Sequence, residues 1–227
     1  MTPTTVSSAR THDLLEIDAQ QFCLVQESLP RWVEEELRRT PFVVIRRGVE
    51  MELGIPVGVR GATRNERYAA FCHPKFVKRV ITPPQLLGRT APAFRIDAVP
   101  AFRSLRILGD RWSTIPYPWG PGGSVGFELA TGSHVATPAS DLDIVIYIDG
   151  RMTTGEATDL CFSASDLPTT VDIRGETPTC GFSLKEYADQ APERILLRTA
   201  TGVVLGVDPW EGFGGESTSA RSRPIWG

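Results

Sequence analysis

Two aspartates separated by one residue, Asp141 and Asp143, open the segment DLDIVIYI. Strand side chains alternate, so in an extended segment both carboxylates leave one face, about 6–7 Å apart along the chain. Leu142, Ile144, Ile146 and Ile148 then fill the opposite, core face. Two carboxylates so placed can hold a divalent cation. Magnesium suits such a site, because it takes few protein carboxylates and completes its shell with water and substrate phosphates. An isolated Asp-x-Asp is also what a solvated strand beginning looks like, so context decides. Upstream stands Gly122-Gly123-Ser124, where backbone without a Cβ can approach a ligand. VGFELATG follows, long enough for a two-turn helix whose free N–H groups and positive end would face a phosphate. A Gly-rich turn capping a helix explains that piece alone. The order Gly-Ser, helix, polar loop, two-aspartate strand is the more specific signal.

Asp172 lies between Val171 and Ile173. If those two face a core, Asp172 faces the other way, where it could bind a second metal ion or accept a proton. Glu176 is the rival for that role, and an ordinary surface aspartate is the plain alternative. Arg60, Arg64 and Arg67 fall at helix-compatible spacing around a capping box at residues 63–66, with Arg46 and Arg47 near in sequence. Such a cluster could dock an acidic partner or grip phosphates, or it is a solvated helix face. Trp112, Tyr117 and Trp119 offer rings to stack on a base or to pack a core.

A formal net charge of -3 argues against a nucleic-acid partner, since neutralising phosphates needs a basic face. No apolar run reaches the roughly 18 residues that suggest a membrane span. Residues 1–10 are polar and lack a signal-peptide centre, so the expectation is a cytoplasmic protein. Cys23, Cys72, Cys161 and Cys180 form no Cys-x-x-Cys pair and read as buried thiols, not bridges or zinc ligands. His12, His73 and His134 are too scattered for a local ligand set.

The elements that must position these residues read as α+β. A helix is expected over residues 31–39, stopped by Pro41, then strands at 42–47 and 55–60. The capping box at 63–66 predicts a further helix ending before Pro74. Residues 1–85 read as a small α+β N-terminal domain bounded by Pro83-Pro84, and residues 86–227 as the catalytic domain, a mixed sheet with helices. In it AVPAFRSLRILGDRW is helical at its centre, and strands follow at 144–148 and 169–174. Ser183 caps a short helix, residues 194–199 and 202–207 form a hairpin, and the Gly, Ser and Arg-rich tail from Trp210 is expected to be mobile.

The order Gly-Ser, spacer, Asp-x-Asp on a strand resembles the polymerase-β-like nucleotidyltransferases, with Gly123-Ser124 and Asp141-Leu142-Asp143 filling the signature. The sixteen residues between Ser124 and Asp141 are a long spacer for that superfamily. Gly132-Ser133 is a competing register that leaves seven, but only the first supplies the helix. THDLLEI, FVVIRRG, IPVGVRG, PWGPGGSVGFELATG, SDLDIVIYI, VDIRGETP, LLRTATG and VDPW resemble, in order, the malonate decarboxylase holo-acyl-carrier-protein synthases, which are phosphoribosyl-dephospho-CoA transferases. That resemblance implies transfer from 2′-(5″-triphosphoribosyl)-3′-dephospho-CoA to a serine of the apo acyl-carrier subunit of malonate decarboxylase, with release of pyrophosphate. It implies one or two Mg2+ ions on Asp141 and Asp143, phosphates cradled by Gly123 and Ser124, and Asp172 as third carboxylate; Arg60 and Arg64 of the basic cluster are then the candidates for gripping the donor's phosphates or docking the carrier. Two rivals stand beside it. One is a nucleotidyltransferase using an ordinary nucleotide; the other is a non-catalytic binding module.

Overall fold

A computed structural model of the protein describes residues 6–26, 28–49, 54–61, 63, 66–189 and 194–211. The first part of the chain alternates short strands with two helices: β1 (Leu14–Ile17), α1 (Ala19–Leu24), α2 (Arg31–Arg39), β2 (Phe42–Ile45), β3 (Ile55–Arg60), β4 (Arg67–Cys72) and β5 (Val77–Ile81). These strands form an antiparallel five-stranded sheet in the order β4-β3-β2-β1-β5. Alternation gives the sheet two apolar faces. Leu15, Ile17, Val43, Ile45, Val57 and Val59 close over Phe22, Val33 and Leu37 of the helices. Val33 and Leu37 stand four apart, on one helical stripe. Leu14, Phe42 and Ile81 instead join the core of the second part of the chain.

That second part contains α3 (Pro83–Leu86), α4 (Ala93–Ala98), α5 (Pro100–Arg111), β6 (Trp119–Pro121), α6 (Gly123–Thr131), β7 (Leu142–Tyr147), α7 (Thr154–Ser163), β8 (Val171–Glu176), β9 (Cys180–Ser183), α8 (Leu184–Ala188), β10 (Ile195–Thr199) and β11 (Gly202–Gly206). Its six strands run β11-β10-β9-β8-β7-β6, and only β7 and β8 are parallel. A parallel pair needs a crossover, which α7 supplies. Thr153 and Glu156 cap α7 reciprocally. Leu142, Ile144, Ile146 and Ile148 are fully buried beneath α5, α6 and α7, as strand alternation requires. The fold is α+β, as expected, and no described helix is long and apolar enough to cross a membrane.

Four expectations change. Residues 67–72 are a strand, not a helix. Thr63 and Glu66 do exchange capping-type hydrogen bonds, Thr63 N to Glu66 Oε2 (2.8 Å) and Glu66 N to Thr63 O (3.2 Å). The following residues pair with β3 from Ile55↔Cys72 to Arg60↔Arg67, so the strand pairing overrides the local helix signal. The strand expected at 169–174 lies at Val171–Glu176. Trp112 and Trp119 are not base-stacking rings: they are buried, meet edge to face at 4.9 Å, and Trp112 Nε1 donates to Ser163 Oγ at 2.8 Å. Tyr117, half-buried, donates its hydroxyl to Glu156 at 2.9 Å. Finally, Trp210 is not a mobile tail residue but packs edge to face on Phe182 and Tyr187; the tail beyond residue 211 lies outside the described residues. All four cysteines are free thiols, as expected; Cys72 and Cys180 are buried, but Cys23 and Cys161 are only half-buried.

Candidate active site

The cleft-lining face of the second sheet carries its polar residues in rows set by strand register. In the first row Asp143 stands opposite Asp172 on the parallel pair β7–β8. Neighbouring strands lie about 4.8 Å apart, so the two carboxylates are side by side. Asp141 is exposed just before β7 and adds a third carboxylate to this end. The second row holds Val145, Arg174 and Ser183. Arg174 Nη2 donates to Asp172 Oδ2 at 3.0 Å. The third row is Tyr147, Glu176, Gly181 and Arg198.

The Gly-Ser element meets the first row directly. Gly122 N donates to Asp143 O at 2.9 Å, and Gly123 opens α6 at φ 53°, a left-handed conformation that suits glycine. A methyl group there would fall 1.8 Å from Asp143 Oδ2, so the carboxylate rests on Gly123 backbone. Ser124, buried, lines the same cleft. The competing Gly132-Ser133 pair lies elsewhere: Gly132 is the left-handed cap ending α6, and Ser133 Oγ contacts Thr40 Oγ1 at 3.0 Å.

Burial pushes the Asp143 carboxyl above its ordinary range, the charges of Asp141 and Asp172 push it further, and Arg174 and Arg60 pull it back. Crowded carboxylates that raise one another are relieved by a cation, and an all-oxygen donor set suits magnesium. Among the described residues no three His, Cys, Asp or Glu side chains are placed to hold a metal unaided. A cation here would therefore draw further ligands from water or substrate phosphate, which is how magnesium usually binds.

These residues line a cleft of about 1190 Å3 between the two sheets. Arg46, Arg47, Arg60, Arg67, Arg174 and Arg198 line it against Asp141, Asp143, Asp172 and Glu176. Six guanidinium groups against four carboxylates give the cleft positive charge inside an acidic chain, which suits a polyanionic ligand. Arg60 and Arg67 face each other across β3 and β4, so they are strand neighbours and not a helical stripe. Arg64 lies outside the described residues.

Glu176 does not join Asp143. Four residues beyond Asp172 on β8, it is roughly 13 Å away along the strand. Its buried carboxylate meets His12 Nε2 at 2.9 Å and pairs with Arg47. Burial raises its pKa, but His12 and Arg47 outweigh that and hold it below its ordinary value. Gly181 makes this possible: a Cβ there would fall 2.4 Å from Glu176 Oε1. The roles of His12, Arg174 and Arg198 were missed in the sequence. VDIRGE does place Arg174 on the same strand face as Asp172 and Glu176, so alternation could have found it. His12, left-handed at φ 76°, gives no local signal.

Comparison with known proteins gives one consistent result. The family described as phosphoribosyl-dephospho-CoA transferase MdcG C-terminal domain matches residues 88–209, and the corresponding N-terminal domain matches residues 10–83. Among relatives, the phosphoribosyl-dephospho-CoA transferase of Pseudomonas aeruginosa is 33% identical over 81% of this chain and 86% of that protein. The protein of that name from Pseudomonas syringae pv. tomato is 33% identical over 88% of this chain and 92% of its own. The one from Klebsiella pneumoniae is 30% identical over 90% and 97%. No solved structure matches the chain.

Proposed function

The chain belongs to the phosphoribosyl-dephospho-CoA transferase family, and from that premise we propose that it converts the apo acyl-carrier subunit of malonate decarboxylase to the holo form. The donor is 2′-(5″-triphosphoribosyl)-3′-dephospho-CoA and the acceptor a carrier serine. The observation that carries the reading is Asp143 resting on Gly123 and standing opposite Asp172, at one end of a cation-rich cleft.

The serine Oγ attacks the α-phosphorus of the donor's triphosphate. The bond from that phosphorus to the bridging oxygen breaks, and pyrophosphate leaves with the electron pair. Asp172 takes the serine proton, held in position by Arg174. The product is a phosphodiester. Ser124 and the Gly123 backbone hold the departing phosphates at the start of α6, and Arg60 and Arg67 hold the donor's charge from the facing sheet. Asp141 and Asp143 would hold Mg2+, which when bound neutralises charge on the departing pyrophosphate. Residues 86–227 carry this chemistry, and residues 1–85 contribute the facing wall that contacts donor or carrier. The reaction belongs in the cytoplasm, with the carrier it serves.

Mass spectrometry of the carrier tests this. With the triphosphoribosyl donor and magnesium, the carrier should gain the mass of one phosphoribosyl-dephospho-CoA unit, and pyrophosphate should appear in equal amount. Labelling from ATP alone, with none from the triphosphoribosyl donor, would overturn the substrate assignment.

A further inference from the structure

Catalysis uses one end of the cleft and leaves its other end without a task. There, Arg46 and Arg198 line the wall, and among the described residues neither forms an ion pair with a carboxylate. Arg198 stands one strand beyond Gly181 in the row that contains Glu176, and the stem of Arg46 lies along Gly58 on the facing sheet. Beyond this point opens a second cavity of about 600 Å3, within the usual range for small-molecule sites. It shares Thr11, Ile45, Arg46, Arg47 and Glu176 with the cleft as common walls. Beside the Arg10–Asp149 ion pair, its remaining lining mixes hydroxyls, from Thr179, Thr199 and Thr201, with apolar surface from Ile55, Pro56 and Pro178.

We propose that this far end is the subsite for the dephospho-CoA part of the donor: Arg46 and Arg198 receive its 5′-diphosphate, and the second cavity receives its pantetheine arm. The assignment rests on the donor proposed above and extends it to residues outside the catalytic row. Spacing carries it. The row of Glu176 and Arg198 lies roughly 13 Å along the strands from the row of Asp143 and Asp172. No group there can touch the reacting phosphorus. In the donor, about a dozen bonds separate that phosphorus from the nearer phosphorus of the 5′-diphosphate. At roughly 1.2 Å of advance per bond, an extended path spans up to roughly 14 Å. An ordinary nucleoside triphosphate has no second phosphate group at that distance. The pantetheine arm alternates amides with methylene and gem-dimethyl groups, which the mixed hydroxyl and apolar lining complements. Arg47, tied to Glu176, keeps the junction between cleft and cavity in shape.

Calorimetric titration of the full chain, without magnesium, tests the assignment with two probes. Dephospho-CoA carries both the diphosphate and the arm; ADP carries the diphosphate alone. Dephospho-CoA should bind more tightly than ADP, a comparison that needs no variant. Arg46→Ala with Arg198→Ala should weaken both probes about tenfold or more, the usual effect of losing charge-assisted hydrogen bonds. Ala200→Trp, on the β10–β11 turn at the cavity wall, should weaken dephospho-CoA about tenfold and leave ADP unchanged. Equal affinity for the two probes, or wild-type dephospho-CoA affinity in either variant, would overturn the subsite. The carrier mass assay reports separately. Carrier modification alongside equal probe affinities overturns the subsite alone; no carrier modification alongside selective dephospho-CoA binding overturns the transfer reaction alone.

Discussion

Asp143 is caught between folding and function. Burial, Asp141 and Asp172 all push its carboxyl up, so its charge is held in the folded protein at a cost. Asp143→Asn should therefore lower carrier modification about a hundredfold or more while the melting temperature stays level or rises. A fall in both would mean that the carboxylate is structural. Gly123→Ala should act differently. The added methyl meets Asp143 Oδ2 at 1.8 Å on a left-handed backbone, so stability should drop by about 1–3 kcal/mol together with activity. Asp13 gives a pH signature. It is buried, accepts from Arg10 N at 2.8 Å and from the Tyr147 hydroxyl at 3.2 Å, and burial pushes its pKa from 3.8 to about 6. A carboxyl raised on folding binds a proton in the folded state between those two values, so its contribution to stability falls as pH rises through that window. Urea melts should show wild-type stability falling relative to Asp13→Asn by roughly 2–3 kcal/mol from below pH 4 to above pH 6.

At the scale of elements, the loop that delivers Asp141 is held by a carboxylate with no part in the chemistry. Glu128 on α6 accepts Arg95 Nε at 2.6 Å and Arg95 Nη2 at 2.9 Å from α4, and the N–H groups of Val135 and Ala136 at 3.0 Å. Burial raises its pKa, but Arg95 and those N–H groups prevail and hold it below the ordinary value. Glu128→Ala strands Arg95 and two backbone donors, so denaturant melts should record a loss of roughly 3–5 kcal/mol. Little of this was legible in the sequence. DLDIVIYI announces its strand because each alternate residue is a large aliphatic. RYAAFC has no such contrast, and its neighbouring capping box points to a helix; only the partner strand β3 settles it.

For the whole molecule, the cleft depends on two sheets meeting with opposite tasks. One supplies most of the carboxylates and the other much of the positive charge. Raising ionic strength should therefore raise KM for the donor steeply with little change in kcat, because the Debye length shrinks from about 10 Å at 0.1 M salt to about 3 Å at 1 M. A salt-independent KM would show that the arginines do not meet the donor. The sheets are joined by Arg47 and His12 on Glu176, by Arg10 on Asp149 at 2.9 Å, and by the Tyr147 hydroxyl on Thr11 O at 3.0 Å.

By itself the sequence determined what local rules control. These were the aliphatic strand carrying two aspartates on one face, the Gly-Ser turn opening a helix, the hairpin near the end, and the order of motifs that pointed to the family. Alternation, capping and glycine geometry are written in neighbouring residues, so they can be read there. Only the tertiary structure decided that Asp172 stands opposite Asp143, that Glu176 turns away to His12 and Arg47, and that Arg60 and Arg67 share a strand pair. Each of those depends on register between strands far apart in the chain. One residue of slip would send every side chain to the other face, and nothing short of the packed core prevents that slip.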